Sequence, residues 1–233
     1  MKELTGKYEE CTERETMNSV NLTYYGHSCF VLNFDGYRIA LDPFTGVPGY
    51  PPLSIEANEV LCSHEHGDHN FRSGVRLLSG KRPEDLAIEE IHSFHDPEGG
   101  RLRGENCLRI FEYNGLRIMH CGDLGVHPAP EQTAKIMDLD VLLLPVGGFF
   151  TMDPKECKAF ADEIRAKVIV PMHFRKDNCG YDVIGTLDDF LALYGADADK
   201  KVVAKEATAE ITGTESGRIW TMLPVLSSYD GVQ

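Results

Sequence analysis

Hydrophobic patterning begins near Asn21, after residues 1–20, which are largely polar and are expected to be peripheral. Residues 22–34 are rich in aromatic and β-branched side chains, which are typical of β structure. The turn Asp35-Gly36 and residues 37–42 complete a predicted β-hairpin. Residues 43–52 contain several prolines and glycines, which predict a loop over a cleft instead of regular structure.

The middle of the chain continues with β patterns. The apolar run Val60-Leu61-Cys62 predicts a short buried strand. Residues 88–95 alternate like a strand, and the pattern breaks at the Asp-Pro-Glu-Gly-Gly segment that follows. A second hairpin is predicted by residues 107–121, whose turn is Asn114-Gly115.

The second half of the chain alternates helical and strand patterns. Residues 130–137 and 153–165 predict helices, because each segment has a proline in its first turn. Thr186-x-x-Asp189 resembles a capping box for a third helix that ends near Tyr194.

Apolar stretches separate these helices. Residues 140–148 and 168–173 predict buried strands, and residues 202–226 alternate as closing strands. The combination of a hairpin-rich first half with an alternating second half predicts an α/β fold of two sheets faced by helices.

The composition favours one domain that spans residues 1–233. A chain of 233 residues with 42% hydrophobic residues can bury a full core, and no repeat marks a boundary. No apolar run approaches the ~20 residues of a membrane helix, and the charged N-terminus is unlike a secretory signal. The 7 scattered cysteines form no C-x-x-C pair, which favours a reducing cytoplasm over a disulfide scaffold.

The acidic charge balance narrows the expected partners. A formal net charge of −14 repels polyanions, so nucleic acid is not the expected partner. A small-molecule substrate is expected instead, and Arg101 or Arg103 can bind a carboxylate or phosphate on it. A homo-oligomer is compatible with the sequence, which does not fix the oligomeric state.

The candidate chemistry is concentrated in one segment, His64-Glu65-His66-Gly67-Asp68-His69, directly after the apolar run at 60–62. Neutral imidazole and carboxylate are the usual ligands of zinc and related divalent ions. A loop that leaves the end of a strand can direct the three histidines and Asp68 into one cleft. The segment therefore predicts a metal site.

Three more potential ligands follow predicted strands: His95, Asp123 and His173. Ligands at strand ends converge at one edge of a sheet, where the backbone holds them in place. His92 competes with His95, but it lies three positions earlier and on the opposite face of the strand, so we favour His95. Seven donors suit two ions that share a hydroxide.

The ordered motifs resemble the metallo-β-lactamase fold superfamily. They are His64-x-His66-x-Asp68-His69, Gly122-Asp123, the histidine that closes Val168-Ile-Val-Pro-Met-His173, and the local settings Gly26-His27-Ser28, Ser93-Phe94-His95-Asp96 and Pro145-Val146-Gly147-Gly148. They are similar to the branch of small single-domain hydrolases that includes ascorbate-6-phosphate lactonase. The resemblance implies a four-layer αββα sandwich with the metal site at one edge of the two sheets.

The resemblance also implies a role for each ligand. His64, His66 and His95 would hold the first metal, and Asp68, His69 and His173 the second, with Asp123 bridging. Asp68 is in addition the candidate catalytic residue, because it can orient the hydroxide. Zinc is the expected metal, with manganese or iron as alternatives.

The expected activity is hydrolysis of a small ester-like bond by a metal-bound hydroxide, with a lactone, phosphodiester, thioester or amide as substrate. Flavodiiron relatives carry a glutamate where His66 stands, so a redox centre is not expected. Two alternatives stay open: a nuclease of the same fold, and a non-catalytic metal-binding protein.

Two residues near the motifs have open roles. His27 is expected to be a core or hydrogen-bonded residue more than a ligand. Asp42 either fixes a ligand imidazole by a hydrogen bond or simply caps its strand.

Overall fold

The computed structural model describes residues 19–197, 201–215 and 217–225. The predictions for residues 1–18 and for Leu226 lie outside the described residues. The described strands are β1 (Val20–Gly26), β2 (Cys29–Phe34), β3 (Tyr37–Leu41), β4 (Ile55–Ala57), β5 (Glu59–Leu61), β6 (Val75–Leu77), β7 (Ala87–Phe94), β8 (Glu105–Tyr113), β9 (Leu116–His120), β10 (Val141–Pro145), β11 (Val168–Met172), β12 (Val202–Lys205), β13 (Thr208–Ile211) and β14 (Ile219–Met222). The α-helices are α1 (Pro130–Thr133), α2 (Pro154–Glu163) and α3 (Leu187–Leu191).

The first sheet has five strands in the order β13-β1-β2-β3-β5. The predicted hairpin is present, with Phe30 of β2 opposite Leu41 of β3. β5 runs parallel to β3 at the edge of the sheet. The three residues of β5 are therefore only half-buried, and the prediction of a buried strand at 60–62 is corrected in that respect.

The second sheet has seven strands in the order β12-β14-β11-β10-β9-β8-β7. The strands β7, β8 and β9 form an antiparallel meander, whereas β9, β10 and β11 are mutually parallel. Parallel strands end at the same edge of a sheet, so the loops after β9 and β11 lie on one side. The closing strands predicted for 202–226 are divided between the two sheets, because β13 pairs with β1 and β14 pairs with β11.

The two sheets pack face to face over the main core. Alternate side chains of β2, namely Phe30, Leu32 and Phe34, are fully buried there. Phe34 stacks on Phe111 of β8 with ring centroids 6.1 Å apart. Burial of each such side chain contributes about 1.5–3 kcal/mol to folding.

Helices cover the outer face of the second sheet. α2 begins at Asp153, whose side chain accepts hydrogen bonds from the backbone amides of Lys155 and Glu156. Its buried residues Cys157 and Phe160 belong to the main core. The predicted helix at 130–137 is present as α1 followed by a 3-10 turn, Ala134–Ile136.

The outer face of the first sheet has a different cover. Side chains that face away from the main core, such as Val31 and Ala40, pack against Phe44 and Val47 of the loop at 43–54 and against Ile55 of β4. β4 and β6 form a two-stranded sheet of their own, which the hydrophobic pattern did not predict. The long loop is therefore a structural layer next to the site.

Two further predictions from the sequence concern membrane helices and disulfides. No helix within the described ranges has the length and apolar character needed to cross a bilayer. The six cysteines of the described ranges are all free, as the scattered spacing predicts. The single-domain organisation and the cytoplasmic location stay predictions.

Candidate metal centre

All seven predicted ligands lie at one edge of the two sheets. The segment that begins after β5 carries four of them, and the other three follow β7, β9 and β11. Together with His27, which follows β1, their donor atoms form three overlapping groups in which every pair lies within 4.8 Å: His27, Asp68, His69 and His173; His64, His66 and His95; His64, His69 and Asp123. The fold thus brings together residues from five separate parts of the chain.

Asp123 lies at the centre of these groups. Its Oδ1 is 3.2 Å from Nε2 of His69, and its Oδ2 is 3.0 Å from Nε2 of His95 and 3.3 Å from Nε2 of His173. One carboxylate therefore contacts histidines of both predicted metal positions. This position is compatible with the bridging role that the resemblance implies.

The backbone before Asp123 is shaped for this placement. Gly122 has φ +53°, and a Cβ there would overlap with the side chains of Asn106 and Ser63, so glycine is required. The Oδ1 atom of Asn106 accepts a hydrogen bond from the Asp123 amide at 3.0 Å. Asn106 is thus a buried support of Asp123.

Three histidines have their Nδ1 atoms engaged by hydrogen bonds. His69 donates to Oδ2 of Asp42 at 2.8 Å, and His95 donates to the carbonyl of Phe150 at 3.1 Å. Nδ1 of His64 lies 2.9 Å from Oγ of Ser63. Such bonds fix the tautomer and leave each Nε2 atom available as a ligand.

Asp42 and Ser63 form a buried network behind the histidines. Oδ1 of Asp42 accepts from the Ser63 amide, and Oδ2 accepts from the Ser63 hydroxyl, each at 2.6 Å. Because the Ser63 hydroxyl already donates its proton to Asp42, Nδ1 of His64 must be the donor to the Ser63 oxygen. Asp42 therefore holds the imidazole of His69, a predicted ligand, by a hydrogen bond, which is compatible with the first of its two predicted roles.

The electrostatics of the cluster favour a positive charge at its centre. Burial opposes charge on His69, but Asp123 and Asp42 outweigh it and raise the pKa of His69 well above its usual value. Burial also opposes ionisation of Asp123, yet His173 and His69 hold the pKa of that carboxyl well below its usual range. The carboxylates thus stabilise a cation here, whether a protonated imidazole or a metal ion.

Several buried donor atoms lack hydrogen-bond partners. Among the described residues these include Nε2 of His64, His69 and His173, and Oδ1 of Asp123. Buried polar groups are almost always satisfied, so unpaired donors that face one point need a common partner. A divalent cation held by imidazole and carboxylate fits this donor set.

The choice between His92 and His95 has a clear geometric outcome. His95 is buried in the cluster, whereas the His92 side chain is 57% exposed and lies 3.4 Å from Glu105. The difference follows from the pleat, because residues three positions apart point to opposite faces. The structure brings His95, and not His92, to the cluster.

The cluster is accessible from one side. A cleft of about 390 Å³ reaches His64 and His66 and is bordered by Glu65, Arg103 and Glu105. Arg103 lies over the ring of Phe150, with its guanidinium carbon 5.8 Å from the centroid.

Two more residues lie at the cluster. His27, which was expected to be a core or hydrogen-bonded residue more than a ligand, is fully buried and belongs to the group with Asp68, His69 and His173. Tyr181 packs edge-on against His27 with centroids 5.7 Å apart. Burial, followed by the charge of Asp68, raises the pKa of Tyr181 to about 12. The setting Gly26-His27-Ser28 was a signal for His27, whereas no pattern around Tyr181 marks it.

Comparison with known proteins identifies the family. Residues 21–173 match the model of the family described as the beta-lactamase superfamily domain. This match covers more than half of the chain, and the chain belongs to that family. The fold class is therefore confirmed as the metallo-β-lactamase fold, and the protein is a metallo-β-lactamase fold hydrolase.

Two similar proteins are described as metal-dependent hydrolases. A UPF0173 metal-dependent hydrolase of Thermococcus onnurineus is 27% identical over 215 residues, which cover 77% of this chain and 94% of the relative. Another of Korarchaeum cryptofilum is 26% identical over 186 residues, which cover 67% of this chain and 83% of the relative.

Two solved structures share this fold. A Thermotoga maritima protein, described as a candidate zinc-dependent hydrolase of the metallo-β-lactamase superfamily, is 31% identical with a TM-score of 0.67, over 87% of this chain and 98% of its own. A metallo hydrolase of Ignicoccus hospitalis, 22% identical with a TM-score of 0.59 over 82% of this chain and 98% of its own, shares the fold. The resemblance to ascorbate-6-phosphate lactonase stays a prediction.

Proposed function

We propose that this chain hydrolyses a small ester-like substrate with two divalent metal ions bound at the cluster around Asp123. His64, His66 and His95 hold the first ion, Asp68, His69 and His173 hold the second, and Asp123 bridges them. The observation that carries the proposal is that the buried Nε2 atoms of His69 and His173 have no hydrogen bond, although they lie 3.2 Å and 3.3 Å from the carboxylate of Asp123. Zinc is the proposed metal, with manganese or iron as alternatives.

Divalent ions at these positions would activate a water molecule and stabilise negative charge on the substrate oxygen. The protein's own residues provide the remaining chemistry. Asp68 is half-buried, and His27 and His69 lower its pKa below the usual range even though burial opposes ionisation. A charged Asp68 can accept a hydrogen bond from the attacking water and so orient it.

Tyr181 is the proposed proton donor to the leaving group. Its phenol stays protonated at neutral pH, and it lies beside His27 and near enough to Asp68 for that carboxylate to raise its pKa. A group with a higher pKa than the solution pH can supply a proton as negative charge develops on the leaving atom.

The cleft supports hydrolysis of a small molecule over the two alternatives. A purely structural metal site is closed, whereas this cluster opens to a cleft through His64 and His66. Two glutamates and one arginine border that cleft, and such a lining disfavours a polynucleotide. Arg103 can instead bind one anionic group of a small substrate.

A substrate screen tests the proposal. The protein is stripped with a chelator, reloaded with zinc or manganese, and assayed on a lactone, a phosphodiester, a thioester and an amide. We expect hydrolysis of at least one class, loss of that activity in the chelated sample, and its return with the metal. Hydrolysis that persists without metal would contradict the proposal.

A further inference from the structure

His27 follows the end of β1 in an unusual backbone conformation. Its φ is +52°, which is uncommon for a residue other than glycine, asparagine or aspartate. Gly26 before it has φ +108°, and a Cβ there would overlap with the ring of Tyr50. Left-handed conformations of this kind are concentrated at functional sites, where the surrounding structure holds them in place.

The backbone of His27 is bonded to a predicted metal ligand. Its carbonyl accepts a hydrogen bond from the His173 amide at 2.9 Å, and a second from the Tyr24 hydroxyl at 3.2 Å. His173 is also left-handed, with φ +51°. Each sheet thus contributes one strained histidine, and the two imidazole rings lie side by side with centroids 4.3 Å apart.

The His27 ring has no hydrogen bond that explains its burial. The residue is 0% exposed, and neither ring nitrogen has a hydrogen-bond partner. The carboxylate of Asp68 lies beside the ring, with its Oδ2 atom 3.5 Å from Nε2. A buried imidazole whose contact with a carboxylate is this long is costly, so a further partner is expected at Nε2.

The position of that partner is defined by three other residues. Donor atoms of His27, Asp68, His69 and His173 lie within 4.8 Å of one another. These distances are compatible with four ligands around a single ion. By contrast, the first position has only His64, His66 and His95 in addition to the shared Asp123.

We propose that His27 is a fourth protein ligand of the second ion, alongside Asp68, His69 and His173. This inference rests on the proposed metal-dependent hydrolase function. With Asp123 included, the second ion has five protein donors and the first has four. The second position therefore binds its ion more tightly, and the first, which faces the cleft through His64 and His66, keeps the coordination positions that water and substrate use.

The test is Co²⁺ binding by the metal-free full-length protein and its His27→Ala variant. Competition with a chelator gives the two affinities, and proton NMR of the Co²⁺-loaded protein shows the resonances of coordinated imidazoles. We expect the variant to lose one shifted imidazole resonance and to bind one of its two ions at least tenfold more weakly. His92→Ala, which removes an exposed histidine outside the cluster, is the matched control and should be unchanged in both measurements.

Each other outcome has a definite meaning. If the affinity falls but every shifted imidazole resonance remains, His27 only orients Asp68 and the inference is wrong. If both measurements are unchanged, the inference is wrong while the metal-dependent function stands. A wild-type protein that binds no Co²⁺ overturns the proposed function itself. If the alanine variant does not fold, His27→Phe fills the space next to Phe44 without a donor atom and gives the same measurements.

Discussion

The Oδ2 atom of Asp42 lies 2.8 Å from Nδ1 of His69, and both side chains are almost completely buried. Asp42 itself has φ +43°, a left-handed conformation that aspartate tolerates, and this conformation accompanies the placement of its carboxylate behind the ring. The contact leaves Nε2 of His69 directed at Asp123. A residue that never touches the metal position thus determines which nitrogen of His69 faces it.

Asp42→Asn should weaken metal binding without removing any proposed ligand. The amide keeps the shape of the side chain but loses the charge that orients the His69 ring. Supporting residues of this kind typically change metal affinity by about 10–100-fold, and we expect a loss of that size in a chelator competition. Hydrolysis should recover at high metal concentration. An unchanged affinity would mean that Asp42 only caps its strand.

His95→Ala and His92→Ala form a matched pair on one strand. We expect His95→Ala to lose metal from the first position and to lose hydrolysis, because a donor next to Asp123 is removed. His92→Ala should keep both, since its side chain is exposed. Metal content of the purified variants, measured by elemental analysis together with activity, checks the prediction. Equal metal content in the two variants would show that the assignment of the third histidine is wrong.

Much of this cluster could be predicted from the sequence because its proposed ligands follow strands. Strands β7, β9 and β11 run in the same direction, so their carboxyl ends lie at one edge, and His95, Asp123 and His173 could be placed beside the loop at 64–69. The choice of His95 over His92 required only the period of a strand.

Other features depend on tertiary structure. The proximity of His27 to the cluster follows from its left-handed backbone and from the hydrogen bond to His173. Neither feature can be recognised from the hydrophobic pattern of the sequence. Strand β5 was expected to be buried. It is only half-buried, because it pairs with β3 at the edge of the sheet, and the sequence does not show this pairing. Tyr181 reaches the cluster through a loop whose course has no local periodicity.

The metal-free protein should lose stability as the pH falls from about 6.5 to about 4. Burial lowers the pKa of His27 to about 4 and that of His64 to about 3. In this range the unfolded chain binds protons that the folded chain does not, so the free energy of unfolding decreases with falling pH. The lowered pKa of His27 alone accounts for a decrease of roughly 3 kcal/mol in the free energy of unfolding. Urea unfolding of chelator-treated protein at several pH values measures the slope, and a flat profile would contradict the burial of these rings in neutral form.

Tyr181→Phe should lower kcat by about 10²-fold or more and leave metal content unchanged, because only the proton donor is removed. KM should change little if the ring alone contributes to substrate binding. The loss should be smallest for substrates with good leaving groups, which need no proton. Steady-state kinetics on two phenyl esters of different leaving-group pKa test this. An equal loss on both would rule out proton donation by Tyr181.

The most direct test of the central claim is anomalous diffraction from crystals grown with zinc, recorded on both sides of the zinc absorption edge. We expect two peaks about 3.5–4 Å apart, one among His64, His66 and His95 and the other among Asp68, His69 and His173, with Asp123 between them. No peak at this cluster, or strong peaks only elsewhere on the protein, would contradict the claim that these residues form a two-metal hydrolytic centre.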